Sequence, residues 1–291
     1  MAKKEEHKKE ESIAKTGPTA MAVMDYGEDA VTVDSRAVGK GYEHQDKADV
    51  SIPIMNLLQS NSPIVTEGKA KAGDWFNSVT EDIFDKDAGF WFVAATTRHL
   101  FTEWTPREKG GGFRGQHEID SDIVKRAIKA STRFGKYLTD DGNQLTETFY
   151  VYGALCDETS ALSMALVPFW SSKIRGYKAW MTRLRQVVIT DPAGRKVRPP
   201  LYAHFTKFAS QFKKNDKGSF YIPVATSAKG SIIESLLSPD DERFQMAKAC
   251  MMLVDSGEAR VDYSKMNPDE DEGGSNGAES KDGDTSFNFS R

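Results

Sequence analysis

The chain has 291 residues, of which 38% are hydrophobic and 28% charged, and its formal net charge is −4. That length allows one large domain or one domain with appendages, and no apolar run approaches the roughly 20 residues that cross a bilayer. Two cysteines and five histidines argue against a disulfide framework and against a structural zinc site, and make a reducing compartment the default.

The N-terminus, Met1-Ala2-Lys3-Lys4-Glu5-Glu6, has no apolar core of a signal peptide. Residues 1–48 are short of large apolar side chains, so they are expected to form a disordered arm. A nucleic-acid-binding core is expected over 49–262, followed by an acidic disordered tail over 263–291. Period-2 and aromatic-rich runs predict strands over Asp74–Thr80, Phe90–Trp104, Glu147–Cys156, Ala161–Trp170, Leu201–Phe212 and Ser219–Thr226. The long strand Phe90–Trp104 is expected to bend, and Gly110-Gly111-Gly112 to form a mobile loop after it.

Helices are predicted over Asp120–Ser131, Ser172–Val188 and Pro239–Val254. In the second, Ile174, Tyr177, Met181, Leu184 and Val188 make one apolar stripe. In the third, Ser238 reads as N-cap and Pro239 as the first helical residue. The element count predicts an α+β fold, an OB-like antiparallel β-barrel or curled sheet with helical insertions, flanked by disordered termini.

Motifs for chemistry are mostly missing. The glycine run lacks the Gly-Lys-Ser/Thr of a phosphate-binding loop, although Arg107, Lys109 and Arg114 around it suit contact with a phosphate backbone. His117-Glu118-Ile119-Asp120-Ser121-Asp122 gathers three carboxylates and a histidine. It reads as charges at a helix start, with a metal-dependent nuclease as the alternative. Cys156 and Cys250 read as buried hydrophobes. No catalytic residue, cofactor or metal site is expected.

Charge distribution says more. Residues 16–97 are net −7, residues 98–248 net +8 and residues 267–291 net −5. Within the basic centre, residues 169–214 carry eleven Lys/Arg and one acid, Asp191. Aromatics interleave there, which is the composition that holds single strands by phosphate and base. The expected DNA contacts are Trp170, Lys173, Arg175, Lys178, Trp180, Arg183, Arg185, Arg195, Lys196, Arg198, Tyr202 and Lys207, with Arg107, Lys109 and Arg114. Trp180 and Tyr202 are the expected stacking residues. In the tail, Phe287 and Phe289 are the expected hooks for a partner protein.

The acidic tail ending near phenylalanine resembles those of bacterial and phage single-stranded DNA-binding proteins, although here Phe289 is followed by Ser290 and Arg291. The core resembles functionally uncharacterised phage proteins from replication gene clusters. Ile52-Pro53-Ile54-Met55-Asn56-Leu57-Leu58-Gln59-Ser60, Ala72-Gly73-Asp74-Trp75-Phe76-Asn77, Trp104–Gly112, Pro168–Lys173 and Tyr177–Trp180 carry that resemblance, over about residues 50–225. With the basic aromatic centre and the acidic tail, these resemblances lead to the expectation of a phage protein of the host cytoplasm that coats single-stranded DNA and recruits replication or recombination proteins through its tail. They imply no membrane and leave a homo-oligomer open. A virion structural or assembly protein is a further alternative.

Overall fold

The alternating apolar runs become strands in a computed structural model that describes residues 22–24, 31–33, 51–215 and 218–266. Within the unit of residues 1–46, β1 (Ala22–Met24) pairs antiparallel with β2 (Val31–Val33). Apart from these six residues, the expected arm lies outside the described residues, as does the tail beyond Met266.

The second unit opens with β3 (Met55–Leu57), α1 (Pro63–Thr66), β4 (Trp75–Asn77) and β5 (Ile83–Phe84). Next come β6 (Phe90–Trp104), β7 (Phe113–Glu118), α2 (Asp122–Ala130), β8 (Tyr137–Leu138) and β9 (Gln144–Cys156). They are followed by β10 (Ala161–Trp170), α3 (Lys173–Arg185), β11 (Ile189–Thr190) and β12 (Lys196–Val197). The unit closes with β13 (Phe205–Asn215), β14 (Gly218–Ser227) and α4 (Glu242–Asp255).

The main sheet runs in the order β10-β9-β6-β13-β14, with β7 beside β6 and β8 beside β9, and every pair is antiparallel. β10 and β14 stand at opposite ends and do not pair with each other. The fold is therefore α+β with an open sheet, not the OB-like barrel expected. Alternation marks where the longer strands run, whereas closure depends on whether the outer two meet.

Each outer strand is covered instead. On β10, the Leu166 N–H donates to the Pro53 carbonyl at 2.9 Å. On β14, the Gln59 amide brackets Tyr221, donating to its carbonyl at 3.0 Å and accepting from its N–H at 2.8 Å. Pro168 and Pro223 sit on these two outer strands, where a missing N–H costs no ladder bond.

Both faces of the sheet are buried. On one, α4 lays Phe244, Ala247, Cys250 and Val254 against Val93, Tyr150, Tyr152, Leu166 and Phe205. On the other, α3 and β4 lay Trp75, Tyr177, Trp180, Met181 and Leu184 against Phe90, Phe92, Val151, Phe169 and Phe208. A smaller cluster at the Trp104 end joins Phe101, Tyr137 and Leu145 to Val124 and Ala127 of α2.

The expected bend in β6 is a register shift against β9 between Ala94 and Thr96. Next to it, a Cβ on Gly153 would lie 2.2 Å from the Val93 carbonyl oxygen. That position admits glycine alone.

Three sequence expectations shift. Gly110, Gly111 and Gly112 all have positive φ, but they close a β6–β7 hairpin in which the Thr105 N–H donates to the Gly112 carbonyl at 2.9 Å. The segment 201–203 is a 3-10 turn before β13. Helix α4 starts three residues later than expected, with Asp241 accepting from the Arg243 N–H at 2.9 Å. The Arg243 side chain explains the later start. Its guanidinium is held by Asp241 and the Glu158 carbonyl over the Phe205 ring, which fixes the first turn there.

Candidate nucleic-acid interface

Helix α3 sorts its residues by burial. Tyr177, Trp180, Met181 and Leu184 turn into the sheet, and that leaves Arg175, Lys178 and Arg185 on the exposed side. Chain continuity adds Arg195, Lys196 and Arg198 from the β11–β12 hairpin and its exit, all exposed. Together they make a run of exposed cations that follows the chain from α3 into the hairpin, called here the cationic strip.

The strip is not uniform. Arg195 is neutralised by Asp191 at 2.8 Å. The Arg195 backbone N–H, with its side chain, holds the Asp191 carboxyl below the usual carboxylate range. Arg183 donates to the Ala225 carbonyl at 2.7 Å, so part of its guanidinium secures the helix to β14. Arg175, Lys178, Arg185, Lys196 and Arg198 form no ion pair among the described residues.

Several expected contacts lie elsewhere. Trp180 is 2% exposed, edge-on to Phe208 with ring centroids 5.0 Å apart, so it offers no face to a base. Trp170 is buried on the α4 side, with Lys173 Nζ 3.9 Å above its ring, and Lys173 is itself only 2% exposed. Tyr202 is half-buried edge-on against Phe244. Half-buried Lys207 places Nζ 5.4 Å from the Trp91 ring. Both sheet faces carry a helix, so strand residues such as Trp170 meet a core whichever way they point, and Trp180 lies on the side of α3 that packs against the sheet.

Arg107, Lys109 and Arg114 belong to the β6–β7 hairpin region, at the α2 end of the sheet and apart from α3. Lys109 Nζ donates to the Asp141 carbonyl at 3.0 Å, and Arg114 is exposed. Phe287 and Phe289 lie outside the described residues.

The structure presents an aromatic pair outside the expected DNA contacts. On the β13–β14 arm, Phe212 is 53% exposed and edge-on to Tyr221 at 5.5 Å, beside exposed Lys213 and Lys214. β6 pairs only with residues 205–208 of β13, so the arm runs on past the sheet. That overrun was invisible in the sequence, where the predicted strand continues without a break signal to Phe212.

Between α3 and α2, the sheet face exposes part of a ring ladder. Tyr177 stacks on Phe149 at 4.6 Å and Phe149 on His99 at 3.9 Å. His99 Nε2 and Glu147 Oε1 are 2.9 Å apart. The His99 hydrogen bond, helped by its charge and by Lys178, holds the Glu147 carboxyl below its ordinary range against the opposing effect of burial.

The residues 117–122 do not converge. His117 sits on β7 with Nε2 2.7 Å from Glu103, while Glu118, Asp120 and Asp122 are exposed along the turn into α2. No group of three or more His, Cys, Asp and Glu is gathered for a metal ion among the described residues. A cavity of about 20 Å³ lined by Trp180, Arg183, His204 and Ser235 has room for a single water. The thiols of Cys156 and Cys250 are buried, and that burial pushes each up to about 12.

A family model described as Pam3 phage gp34-like protein matches residues 20–260. The chain belongs to that phage family. The gp34-like region takes in α2, α3, both hairpins and α4, and stops short of the acidic tail. No curated protein and no solved structure matches the chain. Among the described residues, no helix of this gp34-like protein is long and apolar enough to cross a membrane.

Proposed function

We propose that this phage protein binds single-stranded DNA in the host cytoplasm during replication or recombination, through the α3 strip and the β13–β14 arm. The observation that carries the reading is the outward sorting of α3. Five cations free of ion pairs among the described residues face solvent along one helix and its following hairpin. The one acid of residues 169–214, Asp191, is committed to Arg195. Such a strip neutralises phosphates and releases counterions. Phe212 and Tyr221, with Lys213 and Lys214, supply the stacking that distinguishes a single strand from a duplex. The acidic tail, with Phe287 and Phe289, would recruit replication or recombination proteins. Titrating the full chain with labelled single-stranded and duplex oligonucleotides of equal length tests this. Binding that prefers the single strand, falls with salt and leaves the DNA uncut is expected. Equal affinity for both forms, or metal-dependent cleavage, overturns it.

A further inference from the structure

The second exposed aromatic is Phe134, in the turn between α2 and β8, and it is 86% exposed. Its ring stands nearly perpendicular to that of Tyr137, with centroids 6.4 Å apart, and most of it is in solvent. Residues 123–139 contain Lys125, Arg126, Lys129, Arg133 and Lys136 and no acid, a net charge of +5 over 17 residues. All five are exposed, and of them Arg126 is paired, with Asp140 at 3.1 Å. Arg114 and Lys109 stand at the same end of the sheet.

This patch is anchored, not frayed. Tyr137 is buried with Phe101, Val124, Ala127 and Leu145, so the turn carrying Phe134 leaves a fixed core residue three positions away. The cluster lies on the same sheet face as α3. On β6, His99 and Phe101 are alternate residues with stacked rings, and His99 continues through Phe149 to Tyr177 of α3. On β9 the two helices sit over Leu145 and Phe149, four residues or roughly 14 Å apart along the strand.

We infer that Phe134 is a base-stacking platform, and that Lys125, Lys129, Arg133 and Lys136 hold the phosphates on either side of it. The inference rests on the proposed binding of single-stranded DNA and extends the path of the strand from α3 across the partly exposed His99 to α2. A largely exposed phenyl ring on a turn whose own residues 123–139 carry five exposed cations and no acid, with Asp122, Asp140 and Asp141 at its two ends, suits a ligand that offers both negative charge and flat apolar faces. An acidic peptide offers the charge alone.

The test uses the full chain and its Phe134→Ala variant. Each is titrated with a labelled single strand, a duplex of equal length and poly-glutamate, with Lys178→Gln/Arg185→Gln as the control for the α3 strip. Because Phe134 touches little, the variant should melt with the parent protein. Its affinity for the single strand should fall by roughly 5-fold to 160-fold, the range for one lost stacked base, with the salt slope unchanged. Arg133→Gln/Lys136→Gln should lower that slope by about 1.4. If the α3 control weakens binding while Phe134→Ala does not, the platform is wrong and the function stands. If Phe134→Ala weakens poly-glutamate binding alone, the patch receives an acidic protein. If the parent protein binds no single strand, the function and the platform both fall.

Discussion

Neutralising two cations of α3 gives the most direct reading of the strip. Arg175, Lys178, Arg185, Lys196 and Arg198 are exposed and free of ion pairs among the described residues. At about 0.7 per phosphate contact on a single strand, they contribute about −3.5 to the slope of log affinity against log salt. Raising salt from 50 to 200 mM then weakens their share of binding roughly 130-fold. In Lys178→Gln/Arg185→Gln the share of the slope drops to about −2.1, and the same change in salt costs roughly 20-fold. Arg195→Gln is the internal control, since Asp191 already neutralises that guanidinium at 2.8 Å and the slope should not move. Fluorescence anisotropy with one labelled strand over a salt series reads all three. A double variant with the parent slope would refute the phosphate role of α3, whatever the absolute affinities.

Other expectations concern the core. Trp180→Ala should cost about 3–5 kcal/mol of stability, read by denaturant unfolding, and leave the affinity of the folded fraction intact; the opposite pattern would put Trp180 at the DNA. Gly153→Ala forces a Cβ onto the Val93 carbonyl and should cost stability by an amount typical of overpacking, about 1–3 kcal/mol, read as a lowered melting temperature. Cys156 and Cys250 should not react with a thiol reagent at pH 8 until the protein is unfolded, since burial holds both thiols up near 12; a fast-reacting thiol in the native state would contradict their placement. The Glu147 carboxyl titrates lower when folded than when unfolded. Its stabilising effect is therefore present above the unfolded value, about 4.3, and is lost as pH falls through the folded value. Acid unfolding curves of Glu147→Gln should lack that component.

Much of the scaffold was legible because its strands are long and apolar. Phe90–Trp104 and Ala161–Trp170 have the bounds that alternation gives, and the stripe from Ile174 to Leu184 is a helix. The site was less legible for one physical reason. A strand over Leu201–Phe212 with Tyr202 stacking on a base needs one free face, but α3 and α4 cover both. Phe205 and Phe208, which point opposite ways, are accordingly both buried. Exposure then belongs to residues beyond the covering helices, Phe212 past the end of the sheet and Phe134 in a turn, and no periodicity marks either. Strand β7 was hidden by a different cause. Its sequence, Phe113-Arg114-Gly115-Gln116-His117-Glu118, holds a single large apolar residue, and pairing with β6 makes it a strand.

The segment through Pro53 and Gln59 guards both margins of the sheet at once, the first by its carbonyl and the second by its side-chain amide. It also carries Ile52 and Ile54 on the α4 side and Met55 and Leu57 on the α3 side, so it rounds one margin on its way to the other. Most sheets protect each margin with a separate device. Here a single cut or displacement near residue 56 would bare two dissimilar hydrogen-bonding rims together. One bare rim can pair with a copy of itself and stop at a dimer; two unlike rims can join head to tail without closing. Limited proteolysis within 51–62 should therefore favour association through the bared rims, and a cut protein that keeps the parent's size in light scattering would refute this.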